Sequence, residues 1–406
     1  MIRNPNQKRP SGQPRIQPLN QVPSGHSGRD EIIRYFEERR SRREIVKTTH
    51  TPSGQIIDWV SIESQSRGGR IARPPARGPR LVAGTEPRTY LPRFELEHPD
   101  VERGPPGTVP IPHRDFSKLH TDGSLADYLS KHGRARKRLV PLPNGFPFAD
   151  PEIGGHAYAF TGQNVVCFGG EGNLSAWDPY TQSSSDFSLM QIGLNNNESG
   201  TLQTAEGGWQ VYHDLYGDWA AHLFVYYTTN GYSKDGDNIG GYNQDVDGWV
   251  QYDDTIHPGA ISSPTSTWGG DQYILQIKYQ FYEGNWWFRC NGRWIGYYPS
   301  GLWEGNQSVF DNLGDHASGI AFWGEVKDSE GGNTWTDMGS GYWAEDGWTY
   351  AAFQSNLLVQ TDRNGGLADY NGNDWASDPS LYDITTQMQS GTSWGSYFWM
   401  GGPGAG

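Results

Sequence analysis

From about Gly155 to Gly406 the chain breaks into short alternating segments separated by Gly, Asn, Asp and Pro, and no run holds a helical period. This punctuation constrains the fold more than any other feature. A period of two sends successive side chains to opposite faces, so each segment can bury one face as a strand. The pattern predicts strands at 187–194, 201–212, 222–229, 249–252, 272–281, 285–291, 293–299, 318–327 and 350–360. Such a series suits an all-β domain, a two-sheet antiparallel β-sandwich of jelly-roll type with one curved sheet. No repeat of about 20–50 residues is visible, which argues against a propeller or a β-helix. Neighbouring strand residues face opposite ways, so one of Trp286 and Trp287 is expected to be exposed or to line a groove.

The first part of the chain reads differently. Residues 1–29 are rich in Pro, Gln, Gly and Ser and have little to bury, the composition of a disordered leader. Residues 30–66 hold Ile32, Ile33, Tyr35 and Phe36 among charged residues up to Arg43, which predicts a short amphipathic helix. Two strand-like runs then flank Thr51-Pro-Ser-Gly, the chemistry of a hairpin turn. This small α+β module has too little surface to fold alone and needs a partner. Residues 67–150 return to Pro, Arg and Gly and read as an exposed linker, with processing expected at Lys137-Arg138 or within Val140-Pro141-Leu142-Pro143. Residues 151–406 make up the β domain.

Charge divides along the same boundary. The formal net charge is −14, yet residues 1–150 carry 26 Lys and Arg against 16 Asp and Glu, while the remainder carries 6 against 30. The acidic part would repel a phosphate backbone, which excludes nucleic acid as its partner. No window approaches the ~20 apolar residues that span a bilayer, and the N-terminal charges are followed by no apolar core of a signal peptide. Cys167 and Cys290 allow at most one bridge, and two buried unpaired thiols fit equally well. CxxC, HExxH and His/Cys clusters are absent from the sequence, so no metal or other cofactor is expected. The carboxylates face mostly water and one another. Their mutual repulsion falls as pH falls, which favours an acidic working environment.

Two carboxylates stand apart from the many in turns. Around Glu206 the period of two puts Ala205, Trp209 and Val211 on one face, and Thr204, Glu206, Gly208 and Gln210 on the other. Around Glu325 it puts Ile320, Phe322 and Val326 on one face, and Ala321, Trp323, Glu325 and Lys327 on the other. Each Glu is therefore mid-strand on the more polar face, beside glycines at 207, 208 and 324 that would let a ligand approach. If the two meet, they cannot both ionise easily and will share a proton. Such a dyad activates water: one carboxylate takes a proton from the attacking water, while the other polarises the carbonyl and protonates the leaving nitrogen. Gln210 and Trp323 share faces with the pair and are the expected substrate-binding residues.

The runs Ala205-Glu-Gly-Gly-Trp-Gln-Val-Tyr, Leu215-Tyr-Gly-Asp, Phe224-Val-Tyr-Tyr-Thr-Thr-Asn-Gly-Tyr, Gly284-Asn-Trp-Trp, Ile295-Gly-Tyr-Tyr-Pro, Trp323-Gly-Glu-Val, Met338-Gly-Ser-Gly and Gly401-Gly-Pro-Gly occur in that order. In this order they resemble the neprosin family of glutamic peptidases, and the segment 45–63 is similar to that family's N-terminal activation segment. The resemblance implies a β-sandwich, Glu206 and Glu325 as catalytic dyad, acid-optimal endopeptidase action after proline, peptide or protein substrates, a monomer, an extracellular location and a cleaved propeptide. Gly241 and Val246 stand where plant members place two Cys, so that disulfide is absent. The competing reading is a glycoside hydrolase or carbohydrate-binding lectin-like sandwich, in which paired carboxylates and exposed Trp would serve an oxocarbenium-like transition state. A catalytically idle member is the third. The charge split adds one expectation: the basic leader docks on the acidic domain as its own inhibitor and loosens on acidification.

Overall fold

The computed structural model describes residues 27–66, 68–76, 88–116, 123–131, 139–141, 147–149, 155–305, 311–331 and 334–405. Residues 1–26 of the leader, Lys137-Arg138 and Leu142-Pro143 lie outside them. Helix α1 (Ser27–Ser41) buries Ile32 and Phe36, as its spacing requires. Strands β1 (Ile45–His50) and β2 (Ile56–Ser61) form the expected hairpin. Its turn closes through the Gly54 amide on the Thr51 carbonyl at 2.9 Å, with Gly54 at φ +84°. A third strand, β3 (Thr108–His113), adds to β2, and a short helix, α2 (Leu125–Leu129), follows. Both come from the stretch read as linker, and the first four residues of β3 are buried, so that reading is corrected here. Pro110 and Pro112 disguise the strand. They are tolerated because β3 is an edge, where a missing amide donor breaks no ladder.

The β domain contains β4 (His156–Cys167), β5 (Gly169–Ser175), β6 (Phe187–Asn196), β7 (Gln203–Tyr212), β8 (His222–Thr228), β9 (Gly240–Tyr242), β10 (Val250–Gln251), β11 (Gln272–Tyr282), β12 (Asn285–Cys290), β13 (Arg293–Pro299), β14 (Ala317–Lys327), β15 (Ala352–Val359), β16 (Asn373–Ala376), β17 (Asp383–Gln387) and β18 (Tyr397–Gly401). One sheet runs β9-β8-β7-β6-β14-β4-β16, and the other runs β10-β13-β12-β11-β5-β15-β18-β17. Pairings along the first are all antiparallel, as expected for a sandwich. Ile192, Leu194, Ala205, Trp209, Val211, Ile320, Phe322 and Val326 point inward from the first sheet. They meet Tyr279, Phe288, Leu357, Phe398 and Met400 from the second. Strand β5 escaped the sequence reading because Gly169-Gly-Glu-Gly lacks strand propensity. Its glycines have a packing reason. A Cβ on Gly170 would lie 2.1 Å from Ile320 Cδ1, and one on Gly172 would lie 2.8 Å from Leu357 Cδ2.

Two expectations change. Trp286 and Trp287 do face opposite ways, yet both are fully buried. Trp286 sits in the inter-sheet core, and its indole donates to the Leu313 carbonyl at 2.7 Å. Trp287 lies on the outer side of the second sheet among Val250, Trp294 and Tyr297, a cluster against which Ile71 and Ala72 of the leader pack. The glycines beside the two Glu also differ from the groove reading. A Cβ on Gly207 would meet the Phe288 ring at 2.7 Å, and one on Gly324 would meet Met400 at 2.4 Å, so both face the inter-sheet core. Cys167 and Cys290 are free, buried thiols.

The Gly207 contact is with a rigid buried ring, and neither sheet can retreat without disturbing the other. Gly207→Ala is therefore expected to destabilise the protein by about 1–3 kcal/mol in chemical denaturation. Gly366→Ala, where an added methyl meets nothing within 4 Å, should stay within about 0.5 kcal/mol. Equal stability of the two variants would contradict this account of the packing.

Candidate active site

Strand register brings the two predicted carboxylates to one face of the first sheet. Glu206 on β7 pairs with Gly193 of β6, and Gly193 pairs with Ala321 of β14. Glu325 on β14 pairs with Leu189 of β6, and Leu189 pairs with Gln210 of β7. Between these two rows lies a third, Gly208-Gln191-Trp323. Directly paired residues share a face, so Glu206, Gln210, Gln191, Trp323 and Glu325 all project to the side away from the core. The two Glu reach toward the middle row from opposite ends. Gly193 provides room there, since a Cβ on it would lie 2.5 Å from the Trp323 ring.

Both carboxylates are buried and held by donors. Glu206 Oε1 accepts from the Thr204 hydroxyl at 2.8 Å and from the Tyr232 hydroxyl, and its Oε2 accepts from Gln191 Nε2 at 2.8 Å. Glu325 Oε1 lies 2.7 Å from His156 Nδ1, and its Oε2 accepts from the Trp323 indole at 3.2 Å. Burial, reinforced by Glu206, pushes the Tyr232 phenol well above its usual range and keeps it a neutral donor. Burial likewise holds His156 below the ordinary histidine value, against the pull of Glu325, so Nδ1–H is the donor in that bond.

A cation joins the two carboxylates. The Lys131 ammonium is 2.7 Å from Glu206 Oε2 and 3.0 Å from Glu325 Oε2, so the two oxygens are separated by no more than those two lengths together. Lys131 is 2% exposed. Its ammonium also lies over the Tyr226 and Trp323 rings, at 5.6 and 5.7 Å from their centroids. Burial acts to lower its pKa, but the two carboxylates overcome this and raise it, so the charge stays on. Arginines anchor the rest of the leader. Arg39 pairs with Asp237 and with Asp247 at 2.8 Å, and Arg114 forms a two-pronged pair with Asp245 and also donates to the Leu215 carbonyl at 2.6 Å.

The expected residues thus converge, and others join them. Gln210 lies in the Glu325 row, its amide donating to Tyr242 at 3.3 Å, and Trp323 occupies the middle row. Lys131 escaped the sequence reading because it opens a basic run, Lys131-His-Gly-Arg-Ala-Arg-Lys-Arg, typical of solvated chain. His156 and Tyr232 lie outside the strands predicted from sequence. Gln191 left a trace: it is a lone amide within Phe187-Ser-Leu-Met-Gln-Ile-Gly-Leu, on the face that repeats at 187, 189, 191 and 193.

Residues 184–403, more than half of the chain, match the family model described as neprosin. Among solved structures, scytalido-glutamic peptidase with a transition state analog inhibitor is similar at 10% identity and TM-score 0.30, over 60% of this chain and 97% of that one. SCP-B, a member of the eqolisin family of peptidases in complex with the tripeptide Ala-Ile-His, is similar at 8% identity and TM-score 0.28, over 61% of this chain and 98% of that one. The apo Crh5 transglycosylase is similar at 12% identity and TM-score 0.25, over 49% of this chain and 67% of that one.

A third acid borders the site. Asp235 accepts from the Tyr226 hydroxyl at 2.7 Å, and burial, with a contribution from Glu206, raises its pKa to about 6. A carboxyl that binds its proton more tightly when folded contributes full stability below about pH 4 and loses it as pH rises through 6. Asp235→Asn is therefore expected to be more stable than the native chain by about 1–3 kcal/mol at pH 7 and equal to it near pH 4. Denaturant titrations across that range would show the difference. A constant gap between the two curves would refute the assignment.

Proposed function

The chain belongs to the neprosin family, and we propose from that membership and its paired carboxylates that it is an acid-active glutamic endopeptidase made as a zymogen. Glu206 and Glu325 form the dyad, and the observation that carries this reading is their joint bonding to the single Lys131 ammonium. Two carboxylates close enough to share one cation are close enough to share one proton once the cation leaves. In that state the ionised member takes a proton from water as the water attacks the amide carbon. The protonated member hydrogen-bonds the carbonyl oxygen and then delivers its proton to the leaving nitrogen. Gln191, on the strand between them, holds the Glu206 oxygen that faces Glu325.

Latency follows from the same contact. With Lys131 in place, the carboxylates have neither a free oxygen edge for water nor a proton for the carbonyl. Removing the cation from a buried site leaves two unbalanced negative charges, which is prohibitive unless a proton replaces it. Acid supplies that proton. Arg39 and Arg114, paired with Asp237, Asp245 and Asp247, hold the leader on the acidic domain by complementary charge. The aromatic lining of the face, with Tyr226 and Trp323 beside the ammonium, suits stacking on a proline ring, which supports preference for cleavage after proline. An acid optimum suits the extracellular location that the resemblance implies.

Acid-treated protein should cleave peptides at acidic pH, while Glu206→Gln and Glu325→Gln each lose at least about 1,000-fold in kcat. Full activity in either variant would remove the dyad. Lys131→Ala should be active without acid treatment and at higher pH than the native chain; a variant just as latent would acquit Lys131. Equal rates after proline and after alanine would refute the proline preference alone.

A further inference from the structure

We propose that His156 is a positioning residue of this site, a hydrogen-bond donor that fixes the Glu325 carboxylate and keeps it ionised during turnover. The inference rests on the peptidase reading above and extends it to a group outside the pair. His156 is the first residue of β4 and pairs in register with Lys327 of β14, two positions from Glu325. Its ring is fully buried, lies against the edge of Phe187 at 5.5 Å, and stacks along Tyr158 at 6.2 Å. Packing on both sides leaves the ring little choice of orientation. Nδ1 therefore points at Glu325 Oε1, 2.7 Å away, and turns the other oxygen, Oε2, toward Glu206.

Which oxygen is held matters chemically. The Lys131 contacts identify Oε2 of each Glu as the inner pair, the atoms that would face water and the scissile bond. A donor on the outer oxygen steadies the carboxylate without occupying the reacting one. Bonded to the ionised form, it also favours that form. The charged groups around His156 are Glu325, which favours its protonation, and Lys327 and Lys131, which oppose it. Around Glu325 the other titratable groups are Tyr158 on β4, Tyr232 in the loop after β8, Tyr242 on β9 and Glu206 on β7. The tyrosines are held neutral by burial first, so His156 and the lysines are the groups there that can carry positive charge. Departure of Lys131 removes one of the two cations that oppose protonation of His156.

Two substitutions separate position from polarity. Asn places an amide N–H near the position of Nδ1, whereas Gln places it near Nε2, so both keep a polar group but only Asn keeps the donor aimed at Oε1. His156→Asn should retain kcat within about 10-fold and leave the acid limb of the pH–rate profile in place. His156→Gln should lose about 100-fold in kcat with KM little changed, and its acid limb should move up by about one pH unit as Glu325 becomes easier to protonate. Profiles of both variants that superpose on the native one, or equal losses in both with unmoved limbs, would overturn the proposal. A native chain that turns over no peptide at any pH, as inert as Glu206→Gln, would instead sink the peptidase reading.

Discussion

The pairing of β6 with its two neighbours is the constraint on which everything in this protein depends. Glu206 and Glu325 lie on strands that never touch each other, and only their shared partner sets their relative height. A slip of one residue on either side would turn a carboxylate into the apolar inter-sheet core, an expensive place for a charge. The register is secured from below. Ile192, Leu194, Trp209, Phe322 and Val326 belong to one apolar cluster and leave no alternative face to bury. Packing on one side of the sheet is thus what gives the polar side its geometry.

On that polar side the protein keeps charge where charge is expensive. Two carboxylates and one ammonium sit within a buried cluster, and each carboxylate is further held by neutral donors from side chains around it. The arrangement tolerates one unit of excess negative charge because almost every carboxylate oxygen lone pair has a donor. Neutral phenols suit this role, since burial keeps their protons on. The same logic explains the leader's composition. Its arginines meet aspartates between residues 237 and 247, Asp237 and Asp247 partly exposed and Asp245 buried, while its lysine meets the carboxylates at the centre.

Much of this was legible in the residues. The strands from Phe187 to Lys327, the short β9 excepted, and the faces of β7 and β14 follow from a period of two, because each has one apolar face to bury. Glu206 and Glu325 stood out as polar residues within that pattern. Strand β5 was not legible, because glycines chosen for close sheet contact look like loop glycines. Strand β3 was hidden by prolines that an edge can accept. Lys131 had no local signal at all, since its burial depends on partners 75 and 194 positions away in the chain. That one of Trp286 and Trp287 turns away from the inter-sheet core was legible, but which one was not, and the cover of Trp287, Ile71 and Ala72, belongs to a segment that reads as linker.

What reaches the paired carboxylates from the leader is a side chain, not a peptide bond. A lysine side chain that lies between the two acids presents them with no carbonyl carbon, so among the described residues the leader offers the pair a cation and not a peptide bond. It is also part of the same chain as the domain it enters. The ammonium consequently meets its carboxylates at a local concentration set by the length of the intervening chain, however dilute the protein is. A single cut between Lys131 and Gly155 would end that independence. The leader would become a separate molecule, retained or lost according to volume, and spreading into a larger space would by itself be a signal.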